Sequence, residues 1–374
     1  MNEGDVRSPT VECLSSLKSI QRDYARFKLE NPVKRVFDPI SELHWTYYEG
    51  ATVKKPDGSD ESLAELPCVV LLHGICGTAG CYFYVIEKLA KAGVRCISAQ
   101  YPEYYSPDEW IEGLLHFLEY IKLSKPLVFA SDLGGYLLQL FVEKYPESLS
   151  AIALCNSYRR TDCFSSSPEL RGMYGRLFTV LPHVVLKNIF VEYYICPQDN
   201  VRARAKSPMV EQLAREFMAN ELNQLTASDL GGRISLQMST DYVDDFCSRR
   251  MPPSKILIIE TNNNNIPDEL TEDMLEAYQD AKIAHMRDGG DFPYLTKPEE
   301  IVTYLMVHLT NVRALQSAQN ITDAPVKSGG CSSLRDLYKF NIPRRSSESS
   351  HCSVIPAQPS WESDDATSPS LSDS

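Results

Sequence analysis

Phe129-Ala130-Ser131-Asp132-Leu133-Gly134-Gly135 is the stretch that decides how this chain folds. A short apolar run, residues 127–130, leads into it. A segment at residues 134–145 leads out, with Leu137, Leu138, Phe141, Val142 and Tyr145 at helical spacing. Strand, tight turn and helix in this order set the residue at the apex on a sharp elbow. Such a turn presses the backbone two places before and two places after its apex against neighbouring chain, so both positions must be small. Ala130 and Gly134 meet that requirement around Asp132. With Ser131 at the apex, Phe129 and Leu133 would occupy the crowded positions, so Asp132 is assigned to it.

The surrounding pattern supports the elbow. Residues 66–72 form a buried-strand run that ends in His73-Gly74-Ile75-Cys76-Gly77-Thr78. Residues 88–93 close a helix on Gly93, and 94–99 read as the next strand. Further strands are expected at 151–155, 255–260 and 282–287. Strands alternating with helices over this length indicate the α/β class with a doubly wound, mostly parallel sheet. With the elbow, that is the α/β-hydrolase fold. A helical lid insertion is expected at about residues 158–250, including a helix at 209–225 with Val210, Leu213, Phe217, Leu222 and Leu225 on one face. The apolar pieces at 177–185 and 190–195 are expected to pack over the pocket rather than enter a membrane.

In this fold the nucleophile is followed along the chain by an acid and then a histidine, and backbone N–H groups form the oxyanion hole. His73, Gly74 and Leu133 are therefore the oxyanion-loop residues, and Asp132 stands at the nucleophile position. Asn263, within Glu260-Thr261-Asn262-Asn263-Asn264-Asn265, is the best match to the acid position. Asp291, within Asp288-Gly289-Gly290-Asp291-Phe292-Pro293, falls where hydrolases commonly carry histidine. Triad hydrolysis needs a hydroxyl nucleophile, a base with a pKa near working pH and a group that orients the base. None of the three types stands at its position, so a degenerate, inactive triad is expected. The alternative is a hydrolase with Asp132 as nucleophile, as in epoxide hydrolases and haloalkane dehalogenases, where an alkyl-enzyme ester forms and a base then activates water. Of the seven histidines, His73 alone is placed near Asp132, whereas His116 and His308 on helices and His285 in a strand read as structural. Asp132 and Asp291 facing each other would form an acid pair or a cation site. Without glycine-framed ligand loops no metal is expected, and a helix-capping role is the favoured one for Asp132.

Several stretches resemble the maspardin family: Asp23-Tyr24 with Arg26-Phe27, Gln100 to Pro102, Leu154 to Ser157, and Gly289-Gly290-Asp291-Phe292-Pro293-Tyr294-Leu295. The resemblance runs from about Asp23 to about Leu309. It implies an α/β-hydrolase-like protein without catalysis. Members keep serine at the elbow and carry asparagine at the histidine position, and this chain departs further, with Asp132 at the serine position and Asn263 at the acid position. The resemblance further implies a cytosolic adaptor recruited peripherally to endosomal or trans-Golgi membranes. Its partner would be a protein or peptide, in vertebrates the cytoplasmic tail of a T-cell co-receptor, with negative regulation of T-cell activation.

Composition fits a single large core. The 374 residues are 43% hydrophobic, enough for one domain and its tails. A net charge of −13 argues against nucleic-acid binding, which needs a basic face. No run of 18 apolar residues and no apolar leader is legible, so a cytoplasmic location is expected. The eleven cysteines show no paired metal spacing and read as buried thiols, and no cofactor is expected. Three regions follow: a flexible extension at 1–22 with a short helix near 11–24, a folded domain at 23–318, and a disordered Ser-rich tail at 319–374. Pro56-Asp57-Gly58-Ser59 reads as the turn of an early hairpin. In the tail, Arg344-Arg345 ahead of Ser346-Ser347 makes Ser347 a candidate phosphosite. Oligomeric state stays open.

Overall fold

The protein was analysed as a computed structural model that describes residues 11–51, 66–164, 178, 180–196, 208–244 and 249–322. Helix α1 (Val11–Glu30) precedes a hairpin of β1 (Lys34–Asp38) and β2 (Leu43–Gly50). The chain then alternates through β3 (Cys68–Leu72), α2 (Phe83–Lys91), β4 (Arg95–Gln100), α3 (Pro107–Tyr120), β5 (Leu127–Ser131), α4 (Leu133–Lys144) and β6 (Ala151–Cys155). Helices α5 (His183–Phe190), α6 (Met209–Glu221) and α7 (Ala227–Gln237) lie between β6 and β7 (Ile256–Thr261). Helix α8 (Asp268–Ala277), β8 (Lys282–Met286), the short α9 (Pro293–Thr296) and α10 (Pro298–Thr322) complete the order.

The eight strands form one sheet in the order β1-β2-β4-β3-β5-β6-β7-β8. Pairing is antiparallel at β1–β2 and β2–β4 and parallel from β4 through β8. The central strands β3, β5, β6 and β7 read as unbroken apolar runs because helices cover both faces of a parallel sheet. From β3 the winding goes first to β4 and then reverses to β5 on the other side. Crevices outside the carboxyl ends of strands at such a reversal hold ligands, and the β3 and β5 loops meet there. Cys76, Cys81, Cys96 and Cys155 are buried free thiols.

Strand positions agree with expectation to within a residue or two. Three expectations need correction. Helix α1 crosses the expected boundary at residue 22, since Ile20, Tyr24 and Phe27 recur at helical spacing and all three are buried. The hairpin lies earlier than its expected turn: β1 and β2 pair with Asp38 opposite Leu43, and the intervening turn includes Glu42 at φ +58°. The tetrapeptide at 56–59 lies outside the described residues. The last helix reaches Thr322, past the expected tail boundary at 318. Contacts divide the chain into residues 1–323 and 324–374, and the second unit, with Ser347, lies wholly outside the described residues.

Candidate functional site

Asp132 is the apex of the elbow. Its backbone sits at φ +51°, ψ −127°, a conformation that a residue with a Cβ adopts only under constraint. That constraint comes from both sides: its N–H donates to the Cys155 carbonyl at 3.1 Å, and its own carbonyl accepts from Gly135 N–H at 2.9 Å. Ser131, the last residue of β5, is buried with its hydroxyl 2.7 Å from that of Tyr82, away from the apex role. The small-residue rule holds at Gly134, where a Cβ would lie 2.5 Å from the His73 carbonyl oxygen.

The Asp132 carboxylate makes no N-cap hydrogen bond into its own helix beyond the adjacent Leu133 N–H. Oδ2 instead accepts from the Ile75 N–H at 2.8 Å, across the gap between the β5 and β3 loops. Gly74 has no Cβ because that carboxylate lies against it; a methyl there would meet Oδ2 at 2.5 Å. Burial raises the Asp132 carboxyl, while hydrogen bonds from Ile75 N–H, the Tyr158 hydroxyl and Leu133 N–H pull it back. The N–H that matters in the β3 loop is thus that of Ile75, one residue beyond the His73-Gly74 pair. The signal for it was the residue after that pair.

His73 plays a backbone and packing role. Its ring is buried, stacks on Tyr101 with centroids 4.2 Å apart, and donates from Nδ1 to the Gly74 carbonyl at 2.8 Å. Burial, reinforced by Arg233, holds its pKa well below the ordinary histidine range, so it is neutral. Arg233 on α7 was not legible as a site residue. Buried beneath the loop, it donates to the carbonyls of Ile75 at 3.0 Å and Gly77 at 2.7 Å, which pins the loop immediately after Ile75.

On the other side of the site, Asp291 accepts from the backbone N–H and the side-chain amide of Asn265, both at 2.7 Å, and lies 3.7 Å from Arg215. Burial pushes its carboxyl up to about 6; Asn265 and Arg215 oppose the rise, and Asp132 and Glu211 add to it. Asn263, assigned to the acid position, does not meet Asp291. Its side chain instead donates to Glu211 and accepts from Gly290 N–H at 3.0 Å. The contact made to Asp291 is Asn265's, while Asn263 meets the same loop one residue earlier, at Gly290. Asn156 clamps that corner, donating to Thr261 Oγ1 and the Gly290 carbonyl, both at 3.1 Å.

Asp132, Asp291, Gly74 and Asn265 line one cavity of about 700 Å³, with Phe164, Phe178, Tyr193, Tyr194, Phe292 and Tyr294 among its walls. Phe178, Tyr193 and Tyr194 belong to the stretch expected to form a lid. Among the described residues no group of three or more potential metal ligands is present. No helix of the described residues is long and apolar enough to cross a membrane.

The sequence profile of the alpha/beta hydrolase family matches residues 69–303, from β3 into α10. The chain belongs to the alpha/beta hydrolase family. Within this family it is similar to maspardin of Homo sapiens, 28% identical over 295 residues that make up 78% of this chain and 87% of that protein. Maspardin of Danio rerio is 27% identical over 298 residues, 78% of this chain and 86% of its own. The chain is a maspardin-like α/β-hydrolase-fold protein. Among solved structures, a carboxylesterase of Nitrososphaera gargenis superposes with a TM-score of 0.55 at 16% identity, covering 75% of this chain and 99% of its own. A hydrolase from Pseudomonas aeruginosa gives 0.56 at 13%, covering 74% and 98%. At these identities the superpositions speak for the family's fold alone.

Proposed function

We propose that this maspardin-like protein works by binding rather than by hydrolysis, with the cavity over Asp132 as its binding site. One observation carries the proposal: the Asp132 carboxylate itself takes the Ile75 N–H. In a working hydrolase that donor is kept for the oxyanion that develops in the transition state. With the Asp132 carboxyl occupying the donor, the Ile75 N–H is not free to stabilise an oxyanion forming beside it. Asp291, held by Asn265 and Arg215, has its lone pairs engaged by donors and no imidazole stands in its place. Similarity to maspardin supports the finer proposal of an adaptor. It would engage a protein or peptide partner, such as a receptor's cytoplasmic tail, with peripheral recruitment to endosomal or trans-Golgi membranes.

A second function, hydrolysis with Asp132 as nucleophile, is favoured by the constrained elbow, which turns the carboxylate toward the cavity. There the substrate carbon would take a carboxylate oxygen, the leaving group would depart with its electron pair, and Asp291 would deprotonate the water that cleaves the ester. Intact-mass spectrometry and product analysis after incubation with esters, epoxides and haloalkanes separate the two, with Asp132→Asn as control. The expected outcome is an unchanged mass and no product. An adduct or turnover that the variant abolishes overturns the non-catalytic proposal.

A further inference from the structure

Accepting the cavity over Asp132 as a binding site, the chemistry of its walls selects the charge of the occupant. Two carboxylates reach it from separate elements, the elbow after β5 and the loop after β8. Among the described residues that line it there is no lysine, arginine or histidine. Asp291 has a counter-ion behind the wall in Arg215, whereas Asp132 has no ion-pair partner among the described residues and is held by neutral donors. Six aromatic residues are among its lining. Ring faces carry negative electrostatic potential and attract cations, most strongly where water is excluded. A half-buried carboxylate without an ion-pair partner among the described residues, in a cavity lined by such rings, is complementary to one kind of ligand.

We infer that the cavity binds an organic ammonium ion, its cationic head against Asp132 and its apolar body among the rings of the lid and of the β8 loop. A carboxylate ligand would meet two like charges, and a neutral one would forgo the ion pair. The cavity volume of about 700 Å³ suits a head group with an arylalkyl body. A free amine and the lysine side chain of a bound peptide share this chemistry.

Calorimetric titration of the full chain at pH 7.5 tests it with four probes: 4-phenylbutylamine, the matched alcohol, the matched carboxylic acid, and a blocked lysine dipeptide bearing an aromatic residue. The amine is expected to bind at least tenfold more tightly than the alcohol, with no binding of the acid. Tighter binding of the dipeptide than of the amine would assign the ammonium to a peptide, and the reverse to a free amine. Asp132→Asn should abolish the preference for amine over alcohol. A second measurement uses the unaltered protein. Asp291 faces Asp132, Glu211, Arg215 and Asn265 and is pushed up to about 6, so it takes a proton between pH 7.5 and 5.5. Over that interval affinity for the amine should fall at least threefold while that for the alcohol holds.

Equal affinity for alcohol and amine, binding of the acid, or no binding of any probe overturns the charge selection. Binding of the alcohol alone would leave the pocket as a binding site with a different ligand class. A covalent adduct or turnover in the preceding assay would instead overturn the non-catalytic proposal.

Discussion

Replacing Gly74 with alanine puts the contact between the oxyanion loop and Asp132 under direct load. The added Cβ would lie 2.5 Å from Asp132 Oδ2, 2.6 Å from its Cβ and 2.9 Å from its Cγ, all well inside ordinary carbon contact. Asp132 cannot retreat freely, because its backbone is tied to Cys155 and Gly135 and its side chain is short. Relief must come from moving the β3 loop or turning the carboxylate off the Ile75 N–H. Overpacking of this kind costs about 1–3 kcal/mol, and a lost hydrogen bond to a charged group about 1.5–3 kcal/mol. Because one movement relieves part of both, the expected loss is about 3 kcal/mol. At ~2 °C per kcal/mol for a domain of this size, the thermal midpoint should fall by roughly 6 °C. Urea unfolding of a double-mutant cycle with Asp132→Gly supplies the decisive reading. Glycine removes every Asp132 atom that the new methyl meets and is unstrained at φ +51°. The double variant should therefore recover at least about 1 kcal/mol relative to the sum of the single effects. Additivity to within about 0.5 kcal/mol would refute the reasoning, since it would mean that the carboxylate does not rest on Gly74.

Two further outcomes are expected. Asp291 is an acid raised by burial to about 6 from an ordinary value of ~3.9. Its contribution to stability is complete below about pH 4 and is lost as pH rises through about 6, roughly 3 kcal/mol at ~1.4 kcal/mol per pH unit. The stability of wild type minus that of Asp291→Asn, followed by urea unfolding, should thus decline by about that amount from pH 4 to 7; a flat difference would refute the assignment. Arg233→Met leaves the buried carbonyls of Ile75 and Gly77 without their donors, at a cost of about 2–4 kcal/mol. Amide exchange at residues 74–77 should accelerate more than exchange in β3, and equal acceleration in both would point to global loosening instead.

Local chemistry made much of this protein legible. The buried strands stand out because a parallel sheet covered on both faces needs unbroken apolar runs, and Asp132 was placed at the apex by the space its neighbours must leave. Ala130 and Gly134 are small for reasons that a strand, a turn and a helix impose within seven residues. The covered helix α1 was only half legible, since its spacing of Ile20, Tyr24 and Phe27 marks a face without saying what that face meets.

What the sequence determined by itself, then, is the fold, the family resemblance and the identity of the residue at the elbow, all of which depend on contacts close along the chain. The tertiary structure decided the rest. It turned the Asp132 carboxylate onto the Ile75 N–H rather than onto its own helix, matched Asp291 with Asn265 rather than Asn263, and brought Arg233 under the loop from a helix more than 150 residues away. Such pairings depend on where loops from different strands converge at the reversal of the sheet. No periodicity or spacing within a single segment carries that distance.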